Sequence, residues 1–181
     1  MTTPTPAPVA PPKDGRNDVI AIAVSSVPLH KSFTYSQGPH RMDWRFHPGL
    51  LPVQVDCSSY ATMVYYMAGC IDPNGLNFDG AGYTGTLLSN KQNTHISMAQ
   101  AVPGDLVVYG AGTGEHVAVI VQVNGNDILT VSMGQNGDPS FVWANKPKGF
   151  SKGYPTDGRQ PQTFLRCNTA QIRTPVQFKV A

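Results

Sequence analysis

The stretch from Asp56 to Gly69, DCSSYATMVYYMAG, constrains the chain most, because it predicts a helix that begins at a cysteine. Asp56 suits the N-cap position, since its carboxylate can accept hydrogen bonds from the unpaired amides of the first turn. Apolar residues follow at steps of three and four, and Gly69 stands where helices commonly end. The sequence therefore places Cys57 at the positive end of a helix.

The position of Cys57 has two interpretations. The macrodipole and the free N–H groups of a helix start favour the thiolate, which is the nucleophilic form of cysteine. A buried structural thiol is nevertheless the commoner role for an arbitrary cysteine. A base elsewhere in the chain is needed to distinguish the two.

Composition bounds the class of protein. A chain of 181 residues is long enough to bury one core, and a net charge of +2 from scattered side chains gives no reason to expect a nucleic-acid partner. Its three cysteines do not make a disulfide framework, so we expect Cys70 and Cys167 to be small buried residues in a chain made in a reducing compartment. No apolar run approaches the length of a membrane span, and no membrane insertion is expected.

The order of the segments predicts the fold class. Residues 1–13 are mostly Thr, Pro and Ala and predict a disordered arm or linker, which leaves residues 14–181 as a single domain. Helices are expected first and a run of strands afterwards, which indicates an α+β fold with a mainly antiparallel sheet. Residues 40–55 are expected to form a long surface loop, and residues 174–181 carry no clear signal. The expected helices cover 17–27, 56–69 and 84–90, and the expected strands cover 106–109, 116–123, 128–133, 141–143 and 163–166.

His116 is the candidate base. It begins a predicted strand directly after a glycine-rich loop, so its imidazole is expected at a sheet end, where loops meet solvent. An isolated histidine there would more often be a surface residue beside Glu115. Together with a cysteine at a helix start, it suits a Cys–His nucleophile and base, in which His116 holds the Cys57 thiolate as an ion pair and then protonates the leaving amine.

The other histidines and the aromatic residues carry weaker signals. None of the histidines has metal-ligand spacing, so neither a metal site nor a cofactor is expected. Four aromatic side chains could stack on sugar rings, although such residues more often belong to the core. The histidines are His30, His40, His47 and His95, and the aromatic residues are Trp44, Tyr65, Tyr66 and Trp143.

Three segments in order, DCSSYATMVYYMAG, PGDLVVYG and EHVAVIV, resemble the NlpC-type cell-wall peptidases, papain-like cysteine enzymes that cut the stem peptides of peptidoglycan. Three further segments, YSQGPHRM, DPNGLNFDGAGYTGTLL and VSMGQNGDP, are similar to the peptidase domain of actinobacterial phage endolysins, often called lysin A. The resemblance covers roughly residues 17–143.

The resemblance implies roles for five residues. Cys57 would be the nucleophile and His116 the general base and acid. Tyr35 would line the substrate side, and Asp56 and Ser58 would contact the substrate. For Asp56, a helix cap and a substrate contact stay equally open. The backbone N–H of Cys57 and a donor near Tyr35 would stabilise the oxyanion.

The chain departs from the family at its third catalytic position. Relatives carry a polar residue, usually histidine, where this chain has Met133 within the segment VSMG at residues 131–134. A methionine cannot orient an imidazole by accepting a strong hydrogen bond. We expect Gln135, in the adjoining turn, to take the role, with Ser132 as a poorer candidate.

The resemblance implies a phage lytic enzyme that cleaves an amide bond in peptidoglycan stem peptides through an acyl-enzyme on Cys57. It would stay in the host cytoplasm until a separate pore-forming protein opens the membrane, and then act on the cell wall. The chain could also be one part of a larger or split lysin. The alternatives are an amidase of the CHAP type, a tail-associated wall hydrolase, and an inactive wall-binding module of the same fold, which the Met133 departure motivates.

Overall fold

The structure is a computed structural model and describes residues 12–134, 138–145 and 153–181. Within these ranges the helices are α1 (Arg16–Ser26), α2 (Cys57–Met67) and α3 (Thr84–Ser89). Shorter 3-10 helices cover Val27–Ser32, Pro39–Arg45 and Met98–Gln100. The three predicted helices are confirmed, and in the described part of the chain none is long and apolar enough to cross a membrane.

Most of the described strands belong to one antiparallel sheet with the order β4-β9-β5-β6-β7-β8. Its strands are β4 (Thr94–Ile96), β5 (Leu106–Tyr109), β6 (His116–Asn124), β7 (Asp127–Met133), β8 (Pro139–Trp143) and β9 (Gln162–Arg166). Two parallel pairs lie apart from it: β1 (Phe33–Tyr35) with β3 (Val53–Val55), and β2 (Leu50–Leu51) with β10 (Lys179–Val180). The predicted α+β class, with a cysteine at a helix start and a mainly antiparallel sheet, is confirmed.

Two segments differ from their prediction. Residues 40–55 are not a plain loop, because the chain forms a 3-10 helix and then β2 and β3. The end of the chain, which carried no clear sequence signal, adds β10 alongside β2 through tertiary pairing. Residues 1–11 of the predicted arm lie outside the described residues, and the single domain at 14–181 stays a prediction.

Helices α1 and α2 cover one face of the large sheet. In β6, Val117 and Val119 pack in the core beneath the helices, whereas Ala118 and Ile120 belong to a second apolar cluster on the opposite face. Both faces are therefore buried, which explains why β6 reads as an almost continuous apolar run. His116 stands opposite Tyr109 at the end of the β5–β6 ladder.

A buried carboxylate joins α1 to the sheet. Asp105 is fully buried, and its Oδ1 lies 2.8 Å from Nη1 of Arg16 while its Oδ2 lies 3.0 Å from Nη2 of Arg166. The backbone N–H of Val102 also donates to Oδ2, at 3.0 Å. A carboxylate without solvent needs such partners, so Asp105 fixes the start of α1 against β5 and β9.

We expect Asp105→Ala to lower the free energy of unfolding by about 3 kcal/mol, because it removes the buried partner of two arginines. Urea unfolding followed by circular dichroism measures the effect. Asp43→Ala is the matched control: it breaks the exposed pair with His40 and is expected to cost less than about 1 kcal/mol. Equal losses in both variants would contradict the structural role of Asp105.

Candidate active site

Asp56 determines where α2 begins. Its Oδ1 accepts a hydrogen bond from the backbone N–H of Ser59 at 2.6 Å and from Oγ of Ser58 at 2.8 Å. These contacts satisfy donors that a helix start leaves unpaired. The predicted cap is confirmed, and Cys57 is the first residue of the helix.

The sulfur of Cys57 lies against the start of β6. Backbone N–H groups of Val117 and of Ser58 hydrogen-bond to it. Val117 directly follows His116, so the packing of α2 on β6 brings the two residues of the predicted pair to the same strand end. Both are largely buried, with 5% of each residue exposed.

Burial sets the protonation of the pair. It raises the pKa of the Cys57 thiol to about 11, helped by the charge of Asp56 and opposed by the two N–H groups and by Arg159. Burial also lowers the pKa of His116 to about 4, helped by Arg159 and opposed by Asp157. The resting pair at neutral pH is therefore a thiol and a neutral imidazole, which differs from the expected ion pair because desolvation outweighs the helix amides.

Ser132 is the direct partner of the imidazole. Nε2 of His116 lies 2.5 Å from Oγ of Ser132 on the neighbouring strand β7, and the ring of Tyr109 on β5 lies 5.7 Å from the imidazole, centroid to centroid. Met133 is fully buried in the cluster beneath the helices, on the other face. Ser132, which the sequence ranked below Gln135, is thus the described residue that contacts the imidazole. Gln135 lies outside the described residues, and its role stays a prediction.

The sequence reasoning missed Asp157 and Arg159. Oδ2 of Asp157 lies 4.0 Å from Nε2 of His116, and Nε of Arg159 donates to Oδ1 of Asp157 at 2.9 Å. Residues 144–161 were interpreted only as turn-rich. No local pattern identifies the pair, because its approach to the site depends on how the chain returns past β8, where the N–H of Asp157 donates to the carbonyl of Trp143 at 2.8 Å.

Tyr35 lies near enough to Cys57 for the charge of the thiolate to act on its phenol. Burial, and after it the charge of a Cys57 thiolate, raises the pKa of the Tyr35 phenol. The hydroxyl therefore keeps its proton at neutral pH and is available as a donor, while it accepts a hydrogen bond from Nε2 of Gln37 at 3.1 Å. A role toward substrate stays a prediction.

Arg41 is a third residue that the sequence reasoning missed. Its Nη1 lies 3.2 Å from Oδ2 of Asp56 and 3.3 Å from Oγ of Ser58, and its Nη2 donates to the carbonyl of Gly82 at 2.8 Å. The carboxylate of Asp56 is thus both a helix cap and half of an ion pair. Substrate contacts by Asp56 and Ser58 stay predictions.

The remaining candidates are structural in the described part of the chain. Trp44 is buried and donates from Nε1 to Oγ of Ser59 at 2.9 Å, which links the 3-10 helix Pro39–Arg45 to α2. Cys70 and Cys167 are buried free thiols, as predicted. Among the described residues no group of three or more His, Cys, Asp and Glu side chains could hold a metal ion. Tyr65 and Trp143 are likewise buried, and Tyr66 packs edge-on against Trp44 and Phe78.

Residues 48–136, which include Cys57, His116 and Ser132, match the family model of the CHAP domain. The search of curated proteins found no match. Two similar solved structures are the P60 domain of antigen MAP1204 from M. avium subspecies paratuberculosis and the peptidoglycan hydrolase RipB from Mycobacterium tuberculosis.

The P60 domain is 21% identical, with 88% of this chain and 98% of that chain covered and a TM-score of 0.48. RipB is 21% identical, with 84% and 66% covered and a TM-score of 0.45. The CHAP match supports a coarser class than the endolysin resemblance, namely a peptidoglycan-degrading hydrolase of the cysteine peptidase or amidase kind. An amidase of the CHAP type was one of the alternatives that the sequence left open, and the matched model is that of the CHAP domain.

We expect the thiolate absorbance of Cys57 near 240 nm to be absent at pH 7 and to grow only above about pH 9, because burial raises the pKa of the thiol. The difference spectrum between the native protein and Cys57→Ala, recorded across pH, isolates this thiol from Cys70 and Cys167. A full thiolate signal at pH 7 would contradict a neutral resting pair.

We expect the free energy of unfolding to fall as pH drops from about 6.5 to about 4. In this window the unfolded chain binds a proton at His116 that the folded protein does not, because the pKa is lowered from 6.5 to about 4. The contribution of this one group is about 3 kcal/mol at most. Urea unfolding at pH 7 and pH 4 measures this loss of unfolding free energy. The loss should be smaller in His116→Gln than in the native protein and unchanged in the exposed control His47→Gln. Equal losses in the native protein and both variants would refute the assignment to His116.

Proposed function

We propose that this protein is a cysteine hydrolase that cleaves an amide bond in the peptide part of bacterial peptidoglycan through an acyl-enzyme. One observation carries the proposal: a cysteine at a helix start hydrogen-bonds to the strand residue that follows a buried histidine. The match of residues 48–136 to the CHAP domain supports it independently, since the matched range contains both residues.

The geometry suits general-base catalysis. In the tautomer with its proton on Nε2, His116 donates to Oγ of Ser132, which leaves Nδ1 to take the thiol proton of Cys57. The sulfur then attacks the carbonyl carbon of the scissile amide, and the carbonyl oxygen becomes an oxyanion. The backbone N–H of Cys57 and the phenol of Tyr35 are the proposed donors to this oxyanion.

Collapse of the tetrahedral intermediate completes acylation. His116 returns its proton to the amide nitrogen, the C–N bond breaks, and the amine leaves while a thioester remains on Cys57. Water then attacks the thioester as His116 takes one of its protons. The C–S bond breaks, the carboxylic acid is released, and the proton returns to sulfur.

The second candidate is an N-acetylmuramoyl-L-alanine amidase, which cuts the amide between the sugar and the stem peptide. The CHAP match favours keeping it, because that family comprises both amidohydrolases and peptidases. The same thiol, imidazole and oxyanion donors serve either bond. The difference lies in which substrate amide reaches Cys57.

The biological setting is also proposed. The lysin A resemblance supports a phage role in which the enzyme waits in the host cytoplasm, a pore-forming protein gives it access, and the cell wall is its place of action. A tail-associated wall hydrolase would use the same chemistry. The contact between Ser132 and His116 argues against the inactive wall-binding module, since the imidazole keeps a polar partner despite Met133.

We expect the native protein to release soluble fragments from purified peptidoglycan sacculi, and Cys57→Ala to release at least about 1,000-fold less, because no other group replaces the nucleophile. Cys70→Ala, which removes another buried sulfur, is the matched control and should keep activity near the native level. Mass spectrometry of the fragments is the measurement.

The fragments also identify the bond. Stem peptides cut internally, with part of the peptide still on the sugar, indicate a peptidase, whereas whole stem peptides freed from muramic acid indicate an amidase. Equal release by the native protein and Cys57→Ala would refute the role of Cys57.

A further inference from the structure

We propose that Asp157 is a positioning residue for His116: its carboxylate, held in place by Arg159, stabilises the imidazolium that forms when His116 takes the proton of Cys57. The inference rests on the proposed function and deepens it. Asp157, in the segment after β8, would then take the role of the polar residue that Met133 replaces.

Within residues 12–134, 138–145 and 153–181, Asp157 is the carboxylate that lies within 4.0 Å of the His116 ring. The neighbouring strands offer a phenol and a hydroxyl, α2 offers a thiol, and the segment after β8 offers a carboxylate and a guanidinium. Glu115 precedes His116 in the chain but is exposed and packs toward Gly110. The described groups that contact or act on the imidazole are Tyr109 from β5, Ser132 from β7, and Asp157 and Arg159 from the later segment.

Ser132 alone cannot perform this work. Its Oγ lies 2.5 Å from Nε2 and can accept the proton of that nitrogen, but the hydroxyl carries no charge to balance an imidazolium. Oδ2 of Asp157 is 4.0 Å from the same nitrogen, and only 11% of this side chain is exposed. At that separation and burial, a negative charge is weakly screened and favours the protonated ring.

Asp157 is held in place before any reaction occurs. Its backbone N–H donates to the carbonyl of Trp143 at 2.8 Å, and Oδ1 accepts from the backbone N–H and from Nε of Arg159 at 3.1 and 2.9 Å. Nη2 of Arg159 donates to Oδ2. The guanidinium also lies over the ring of Tyr109, 5.5 Å from its centroid. A fixed carboxylate costs no reorganisation at the moment of proton transfer.

The pair has a distinctive electrostatic signature. Asp157 raises the pKa of His116 and Arg159 lowers it, so the two side chains act in opposite directions on one proton. Removing the carboxylate leaves an uncompensated cation near the ring, and removing the guanidinium leaves an uncompensated anion. A residue with a purely structural role would not produce opposite shifts.

The test is NMR titration of the His116 ring in full-length protein labelled at histidine, with His116→Gln used for assignment. We expect Asp157→Asn to move the titration midpoint to lower pH and Arg159→Gln to move it to higher pH. Asp157→Glu, which keeps the charge, should have a titration midpoint closer to the native one than that of Asp157→Asn. On sacculi, Asp157→Asn should lower kcat about 10- to 100-fold with little change in KM.

Unchanged midpoints in both Asp157→Asn and Arg159→Gln would overturn the inference, whatever the activities. If Asp157→Asn fails to fold by circular dichroism, an upward shift in Arg159→Gln supports the inference and a midpoint equal to the native one overturns it. If the two variants shift the midpoint in opposite directions but the native protein leaves sacculi intact, the proposed function is refuted. The electrostatic positioning of His116 by Asp157 then still stands.

Discussion

The docking of the α2 N-terminus against the start of β6 is the contact on which the candidate site depends. The Asp56 cap fixes where the helix begins, and the N–H of Val117 reaches the sulfur of Cys57. Apolar residues of both elements pack below this contact and hold it in place. Because the helix start and the strand start meet, a residue placed at one has a defined neighbour at the other. The pair therefore follows from packing, not from loop conformation.

The same packing has an electrostatic cost. A thiol and an imidazole that are largely removed from water both favour their neutral forms, so the helix amides do not suffice to ionise Cys57 in the resting protein. Charge must then appear only as the proton moves. Groups that stabilise an imidazolium consequently matter more here than in a site that holds a ready-made ion pair, which connects the burial of His116 to the nearby carboxylate of Asp157.

Local patterns predicted the parts of the site that depend on local structure. The capped helix at Cys57 and the strand at His116 each carry their own signal, and their pairing matched a known arrangement. Arg41 and Asp157 carry none, because each reaches the site through tertiary contacts across 15 and 41 residues of chain. Strand β2 was missed for the same reason, because its partner β10 lies at residues 179–180.

The replacement of the expected polar residue by Met133 has a physical explanation in strand geometry. Side chains alternate along β7, so Met133 faces the core beneath the helices while Ser132 faces His116. A methionine at that position adds to the core and offers the imidazole nothing. The polar contact with His116 comes instead from Ser132, which precedes Met133 in β7 and lies on the opposite face of the strand. A neutral hydroxyl cannot balance the charge of an imidazolium, whereas the carboxylate of Asp157, 4.0 Å from Nε2, can.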